Sequence, residues 1–276
     1  LLALYALESR QALTETHLQA ALADRSPGVR QQAIGLSEKF LEDAPAVQSR
    51  LLSMAEDPVR EVRYQLAFTL GEIQATARLQ ALEVVILKDA EDPWIRMAVL
   101  SSLARDGGQM FEMLAGRPGF RRSAAGSKFL ETLAQQVGAA NQQGEVAGVL
   151  QGINQLEERD KQTALKWVQA LASKQKGTAR KALLAAAGGK AADLLAGLIA
   201  DASRVATDPD RQVEQRAEAI RTLRLGEFSQ LRTLAPRMLD LQQPAPLQAA
   251  MIDTLAGFED EAIAEIGDEF NRRVRR

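Results

Sequence analysis

Arginine recurs behind a branched aliphatic residue in this chain: Val29-Arg30, Val62-Arg63 and Ile95-Arg96 stand 33 residues apart. A ladder of guanidiniums on one surface could grip successive phosphates or an acidic partner. The same cations could instead pair with Asp24, Asp57 and Asp92, in their own or in neighbouring turns. Aspartate near a helix N-terminus is also favoured by capping and by the helix dipole. Pairing is the preferred reading, because the aspartates recur together with the arginines. Trp94 stands where the other copies have Glu61 or Gly28. Exposed, it could anchor a partner; the expectation is that it packs on the neighbouring turn, as amphipathic Trp commonly does.

Other candidate groups carry less. Gly188-Gly189-Lys190 matches part of a phosphate loop, but Ala191 follows the lysine and no strand precedes it, so the glycines are expected to end one helix and start the next. Arg117, Arg121 and Arg122 flank Gly119-Phe120 in an expected loop, and Arg272, Arg273, Arg275 and Arg276 form a basic tail. Either could touch an anion, yet a solvated loop and a helix C-terminus account for them. The acids Glu157, Glu158 and Asp160, and Glu259, Asp260 and Glu261, lie where helices should start or stop. Capping explains them without general acid–base chemistry. His17 is the single histidine and there is no cysteine. Thiolate chemistry, thioether-linked haem and a His-based zinc site are therefore not supported by this chain's own residues. No catalytic, cofactor-binding or metal-ligating residue is assigned.

The elements that must position these residues follow from the period. A repeat of 33 residues marks stacked helical units. Between Leu51 and Ile73, Leu51, Leu52, Met54 and Ala55 end one helix; Asp57-Pro58 breaks it; Val62, Leu66, Thr69 and Leu70 then line one face of a second helix. The pattern also appears at Asp24, Pro27, Val29, Ala33 and Leu36, and at Asp92, Pro93, Ile95, Val99 and Leu103. It returns at Asp208, Pro209, Val213, Ala217, Ile220 and Leu223, with a weaker copy at Leu247, Met251 and Leu255. One helix pair cannot bury its apolar stripe alone; stacking on the next pair does.

From about Phe111 to Ala206 the period lapses. Helices are expected near Ala124–Val137, Glu145–Leu156, Lys161–Ala172, Ala179–Ala187 and Ala191–Val205. Extrapolation of the period makes Leu1–Ser9 the end of a second helix and Glu259–Arg276 a first helix, each without its mate. The expected organisation is regular repeats over 1–110, degenerate ones over 111–206 and regular ones over 207–276, in one continuous solenoid cut from a larger protein.

Bulk composition agrees. Of 276 residues, 46 % are hydrophobic and 25 % charged, as in an ordinary folded protein, and aromatics are only 4 %. The net charge of −2 supplies no global field to draw in nucleic acid or an anionic membrane. The longest apolar stretches, such as Ala191–Ala200, are shorter than the ~20 residues that span a bilayer.

Helix pairs, a D-P turn and V-R entering the second helix resemble the HEAT repeat. A more specific likeness lies in Leu4-Tyr5-Ala6-Leu7-Glu8, Pro27-Gly28-Val29-Arg30 and the run Arg63 to Glu72. It continues through Asp92-Pro93-Trp94-Ile95-Arg96-Met97-Ala98-Val99-Leu100-Ser101-Ser102 and Phe129 to Ala139. This set resembles the HEAT-repeat segment of planctomycete and verrucomicrobial haem-binding, membrane-bound-dehydrogenase-like proteins, best over residues 1–140. The resemblance implies a sugar-dehydrogenase-like propeller before the repeats, a cytochrome c-like domain with C-x-x-C-H after them, and export. It implies no catalytic residue here, and haem c only outside this segment.

The expected fold is thus all-α, a right-handed α-α superhelix of HEAT-like pairs with an irregular middle. The expected function is a non-catalytic scaffold or interaction segment that links the two flanking domains. Its partner would be those domains or another protein, met through Arg30, Arg63, Arg96 or Trp94. The alternative is a free-standing protein that holds nucleic acid or another anionic partner on an Arg-bearing concave face. A small-molecule enzyme built on the irregular middle helices is a third reading, which a deep pocket of perturbed acids would favour.

Overall fold

A computed structural model of the chain describes residues 1–173, 189–258, 263 and 266. Among them lie sixteen α-helices and no strand. Residues group into two compact units, Leu1–Leu133 and Ala134–Arg276.

In the first unit the helices are α1 (Leu2–Ser9), α2 (Glu15–Leu22), α3 (Pro27–Ser37), α4 (Pro45–Ser53) and α5 (Arg60–Glu72). There follow α6 (Ala77–Asp89), α7 (Pro93–Ser101), α8 (Gly107–Ala115) and the single turn α9 (Pro118–Arg121). Two layers result. First helices pack in series, α2 on α4, α4 on α6 and α6 on α8, while second helices do the same, α3 on α5 and α5 on α7. Between the layers lie Leu18, Leu22, Ile34, Leu51, Leu66 and Leu82, none with measurable exposure. Each such side chain contributes about 1.5–3 kcal/mol of burial.

The turns between helices share one device. Asp24, Asp57 and Asp92 each accept the backbone N–H two residues on, from Ser26 at 2.7 Å, Val59 at 2.9 Å and Trp94 at 2.8 Å. Asp208 and Asp240 accept likewise from Asp210 at 3.0 Å and Gln242 at 2.9 Å. The recurring aspartate is an Asx-turn former. Asp92 also accepts from Ile95 N at 3.2 Å and so caps α7. At α2, Thr14 and His17 cap the helix reciprocally, the Thr14 hydroxyl lying 2.9 Å from His17 Nδ1.

α10 (Ala124–Ala140) spans the boundary between the units. The second unit continues with α11 (Gln143–Asn154), α12 (Lys161–Ala172), α13 (Gly189–Thr207), α14 (Val213–Thr222), α15 (Phe228–Met238) and α16 (Ala245–Leu255). α11, α12 and α13 pack mutually; α14 then packs on α13 and α16, and α15 on α16. The expected helices near 124–137, 145–156, 161–172 and 191–205 are all present. Those near 179–187 and 259–276, with the basic tail and the second acidic cluster, lie outside the described residues save for 263 and 266. So does Gly188; Gly189 opens α13 in the left-handed region, φ 56°.

Two local expectations are corrected. Residues 117–122 were expected to form a loop, but Pro118–Arg121 is a helical turn. Proline suits the first helical position, and burial of Phe120, whose ring centroid lies 6.1 Å from that of Phe129, holds the turn. The expected Ala217, Ile220 and Leu223 are buried, but in α14 the repeat register differs from the one built on Val213. Arg216, Ala219 and Ile220 are buried as Arg30, Ala33 and Ile34 are in α3, so Gln215, two residues later, takes the place of Val29. Burial of the Arg216 stem, not the aliphatic run alone, sets that face.

Candidate partner-binding face

The recurring arginines sit in the seams between repeats. Arg30 Nε and Nη2 donate to Asp57 Oδ2 and Oδ1 at 2.8 and 2.9 Å, while Nη1 donates to the Asp24 carbonyl at 2.9 Å. Arg63 repeats this with both oxygens of Asp89 at 2.6 Å and with the Asp57 carbonyl. Arg96 donates to the Ala90 carbonyl. Each arginine thus reaches the carbonyl six residues back, at the end of the preceding helix or turn, where a cation is favoured.

Arg30 and Arg63 are buried. Burial costs their partner Asp57 solvation, which pushes its pKa up. The hydrogen bonds from Arg30 and the Val59 N–H, with the charges of Arg30 and Arg63, outweigh that and hold Asp57 below the usual carboxylate range. Arg30 and Arg63 are raised, chiefly by hydrogen bonds to Asp57 and Asp89 respectively.

The partner of Arg63 is Asp89, not Asp92. Asp92 is occupied by the α7 cap and by Arg60, whose Nη1 lies 3.3 Å from it. Two further arginines are of this kind: Arg121, expected in a solvated loop, and Arg216, which the sequence reading did not single out. Arg121 Nη1 donates to the carbonyl six residues back, Ala115, at 3.0 Å. Arg216 Nη2 lies 3.5 Å from Gln243 Oε1, 27 residues on, the same step that separates Arg30 from Asp57. The pattern P-x-x-R, shared by Pro27–Arg30, Pro93–Arg96 and Pro118–Arg121, was the available signal for the first.

Trp94 is placed otherwise than expected. It is 64 % exposed, so it does not pack into the neighbouring turn. The capped turn directs Ile95 inward at 1 % exposure, and a helix sends adjacent residues to different faces. Met97 is 58 % exposed one helical turn away, and Phe68 on α5 is 37 % exposed. Phe68 meets Tyr64 edge to face at 5.2 Å between centroids. A groove of about 430 Å³ runs over this second-helix layer, lined by Gln31 of α3, Arg60, Glu61 and Tyr64 of α5, Asp92 at the α7 cap, and Trp94 and Ile95 of α7.

In repeat register Trp94 is equivalent to Glu61 and Gly28, and Met97 to Tyr64 and Gln31. The same two helix positions therefore build the groove on successive repeats. Tyr64, Trp94 and Ile95 are its aromatic and apolar lining. Its charge is one guanidinium, Arg60, against two carboxylates, Glu61 at 3.7 Å and Asp92 at 3.3 Å.

Two other cavities lie in the second unit, one along α12 and α13 and one where α13 meets Glu227 and Gln230. No group of three or more His, Cys, Asp or Glu among the described residues is placed to hold a metal, and no helix among them is long and apolar enough to cross a membrane.

The family model for HEAT repeats matches residues 14–104. That stretch is a HEAT-repeat segment. It contains α2 through α7, the arginines at 30, 63 and 96, and every residue that lines the groove. No curated protein matches the chain. HEAT repeats support a helical scaffold or interaction role for that segment, whose helix pairs stack as in an all-α solenoid.

Proposed function

We propose that the chain is a non-catalytic scaffold whose second-helix face, residues 28–97, docks a protein partner. The observation that carries this is Trp94: a large aromatic, mostly exposed, one helical turn from exposed Met97 and lining a groove with Tyr64 of the neighbouring helix. Aromatic residues held out on a rigid face are the anchors that dominate protein interfaces. The partner in this reading is a flanking domain of the same polypeptide, and the chain spaces a dehydrogenase-like propeller from a cytochrome c-like domain in an exported redox protein. The D-P-W-I-R-x-A-V-L-S-S run at 92–102 and its companions support that context by resemblance. The chain has no cysteine to attach haem, so haem c in this reading belongs to the neighbouring domain.

The test is to read the coding frame on both sides and titrate each encoded domain into the chain while following Trp94 emission. A downstream C-x-x-C-H and a saturable blue shift with one domain are expected. A frame that ends at these boundaries removes the spacer reading, and no change with any encoded domain removes the docking reading.

A further inference from the structure

We infer that the Tyr64–Trp94 groove receives a lysine or arginine side chain from an extended segment of the partner protein. This rests on the docking reading above and names what is docked. Four features carry it. First, the groove presents two aromatic surfaces, a half-buried Tyr64 and a largely exposed Trp94, on adjacent helices. A cation over an aromatic face is attracted by the ring quadrupole, most strongly by Trp. Second, the carboxylates Glu61 and Asp92 share a single guanidinium, so the site keeps one formal negative charge that an incoming cation would neutralise.

Third, Arg60 is 57 % exposed at its side chain, as Glu61 is at 62 %. That pair is a loose surface contact, which an incoming cation can rearrange cheaply. Fourth, about 430 Å³, towards the small end of the roughly 300–1,000 Å³ of ligand pockets, has room for one long side chain with its flanking backbone. The methylene stem would lie along Tyr64 and Trp94, and the cation would end at Glu61. An acidic or phosphorylated segment is disfavoured by the same two carboxylates. A purely apolar anchor would leave the one surplus negative charge unneutralised.

The experiment uses the full chain and twelve-residue peptides of Gly and Ser with a central Arg-Leu-Arg, Lys-Leu-Lys, Leu-Leu-Leu or Glu-Leu-Glu. Trp94 emission is followed in a Trp167→Phe background, with helicity checked by circular dichroism; the wild-type chain is run in parallel should that variant not fold. The Arg and Lys peptides are expected to shift Trp94 emission saturably and to weaken about tenfold with Trp94→Ala, read by isothermal titration, and at least as much with Glu61→Lys. Binding should also weaken with added salt. An equal response to the Leu-Leu-Leu peptide, or no saturable response to either basic peptide, overturns the inference. A flanking domain that binds while the basic peptides do not leaves the docking reading standing and removes only this one. Basic peptides that bind while no domain does have the opposite meaning.

Discussion

Arg30 grips both carboxylate oxygens of Asp57, 27 residues further on, at 2.8 and 2.9 Å. One guanidinium thereby joins the entry of one second helix to the turn that opens the next. Asp57 at the same time shapes its own turn through the Val59 N–H. A residue that forms a turn also receives the cation of the preceding repeat, so local and inter-repeat order are set by the same carboxylate.

Removal of Arg30 leaves buried Asp57, and removal of Arg63 leaves half-buried Asp89, without its cation. Arg30→Ala and Arg63→Ala are each expected to cost about 3–5 kcal/mol, read as the denaturant midpoint by circular dichroism. Arg96, half-buried and bonded to the Ala90 carbonyl, should cost less. Equal and negligible losses for all three would show that the seam is not held this way.

The lowered pKa of Asp57 gives a signed pH effect. A carboxylate depressed in the folded state contributes stability that is fully present above its unfolded pKa, about 4. That contribution is lost as pH falls through the folded value. Unfolding free energy should therefore drop below about pH 4, and Asp57→Asn, already weakened at neutral pH, should show a shallower drop. Parallel pH curves for the two proteins would refute the assignment.

Several glycines are fixed by close approach, Gly138 and Gly71 among them. A Cβ at Gly138 would lie 1.9 Å from the Leu171 carbonyl oxygen, and one at Gly71 would lie 2.8 Å from Ser102 Oγ. Gly138→Ala is expected to cost at least about 1–3 kcal/mol, because backbone must move to admit the methyl. Gly197, inside α13 with nothing within 4 Å, serves as the control. There alanine should stabilise by up to about 1 kcal/mol through helix propensity.

The two tryptophans should separate in every assay. Trp167 is 1 % exposed and Trp94 64 % exposed. Trp167→Ala should cost about 3–5 kcal/mol, whereas Trp94→Ala should stay within about 0.5 kcal/mol. Acrylamide should quench the Trp94 component strongly and the Trp167 component weakly. A large stability loss on truncating Trp94 would mean that it packs into the fold.

Much of the architecture was legible because it repeats. Asp-Pro breaks, the 33-residue step and the i, i+4, i+7 apolar positions all act within a few residues, so helix pairs could be placed from the chain alone. In the irregular middle, α11, α12 and α13 fell within about two residues of expectation, since glycine, asparagine and proline breaks are local too. Reading failed where the local signal was overruled by burial. Pro118-Gly119-Phe120-Arg121 looks like a polar loop until Phe120 and Arg121 are seen to be buried. Val213 looks like the counterpart of Val29 until Arg216 takes the inward position.

The partners of the arginines were legible only in kind. That aspartates answer Arg30 and Arg63 followed from joint recurrence, though Arg96 meets the Ala90 carbonyl instead; that Arg63 takes Asp89 rather than Asp92 did not follow, because the distance from one helix's entry to the end of the next is a property of stacking. Trp94 makes the same point at the surface. Its place two residues after Asp92 was read correctly, but its exposure was not, since that depends on the angle at which a capped helix leaves its turn and on what the neighbouring helix presents. Sequence alone therefore determined the helices, their pairing and their period, which arise from backbone chemistry within one turn. Tertiary structure decided which charges are buried and which aromatics face outward, because those follow from how one repeat lies on the next.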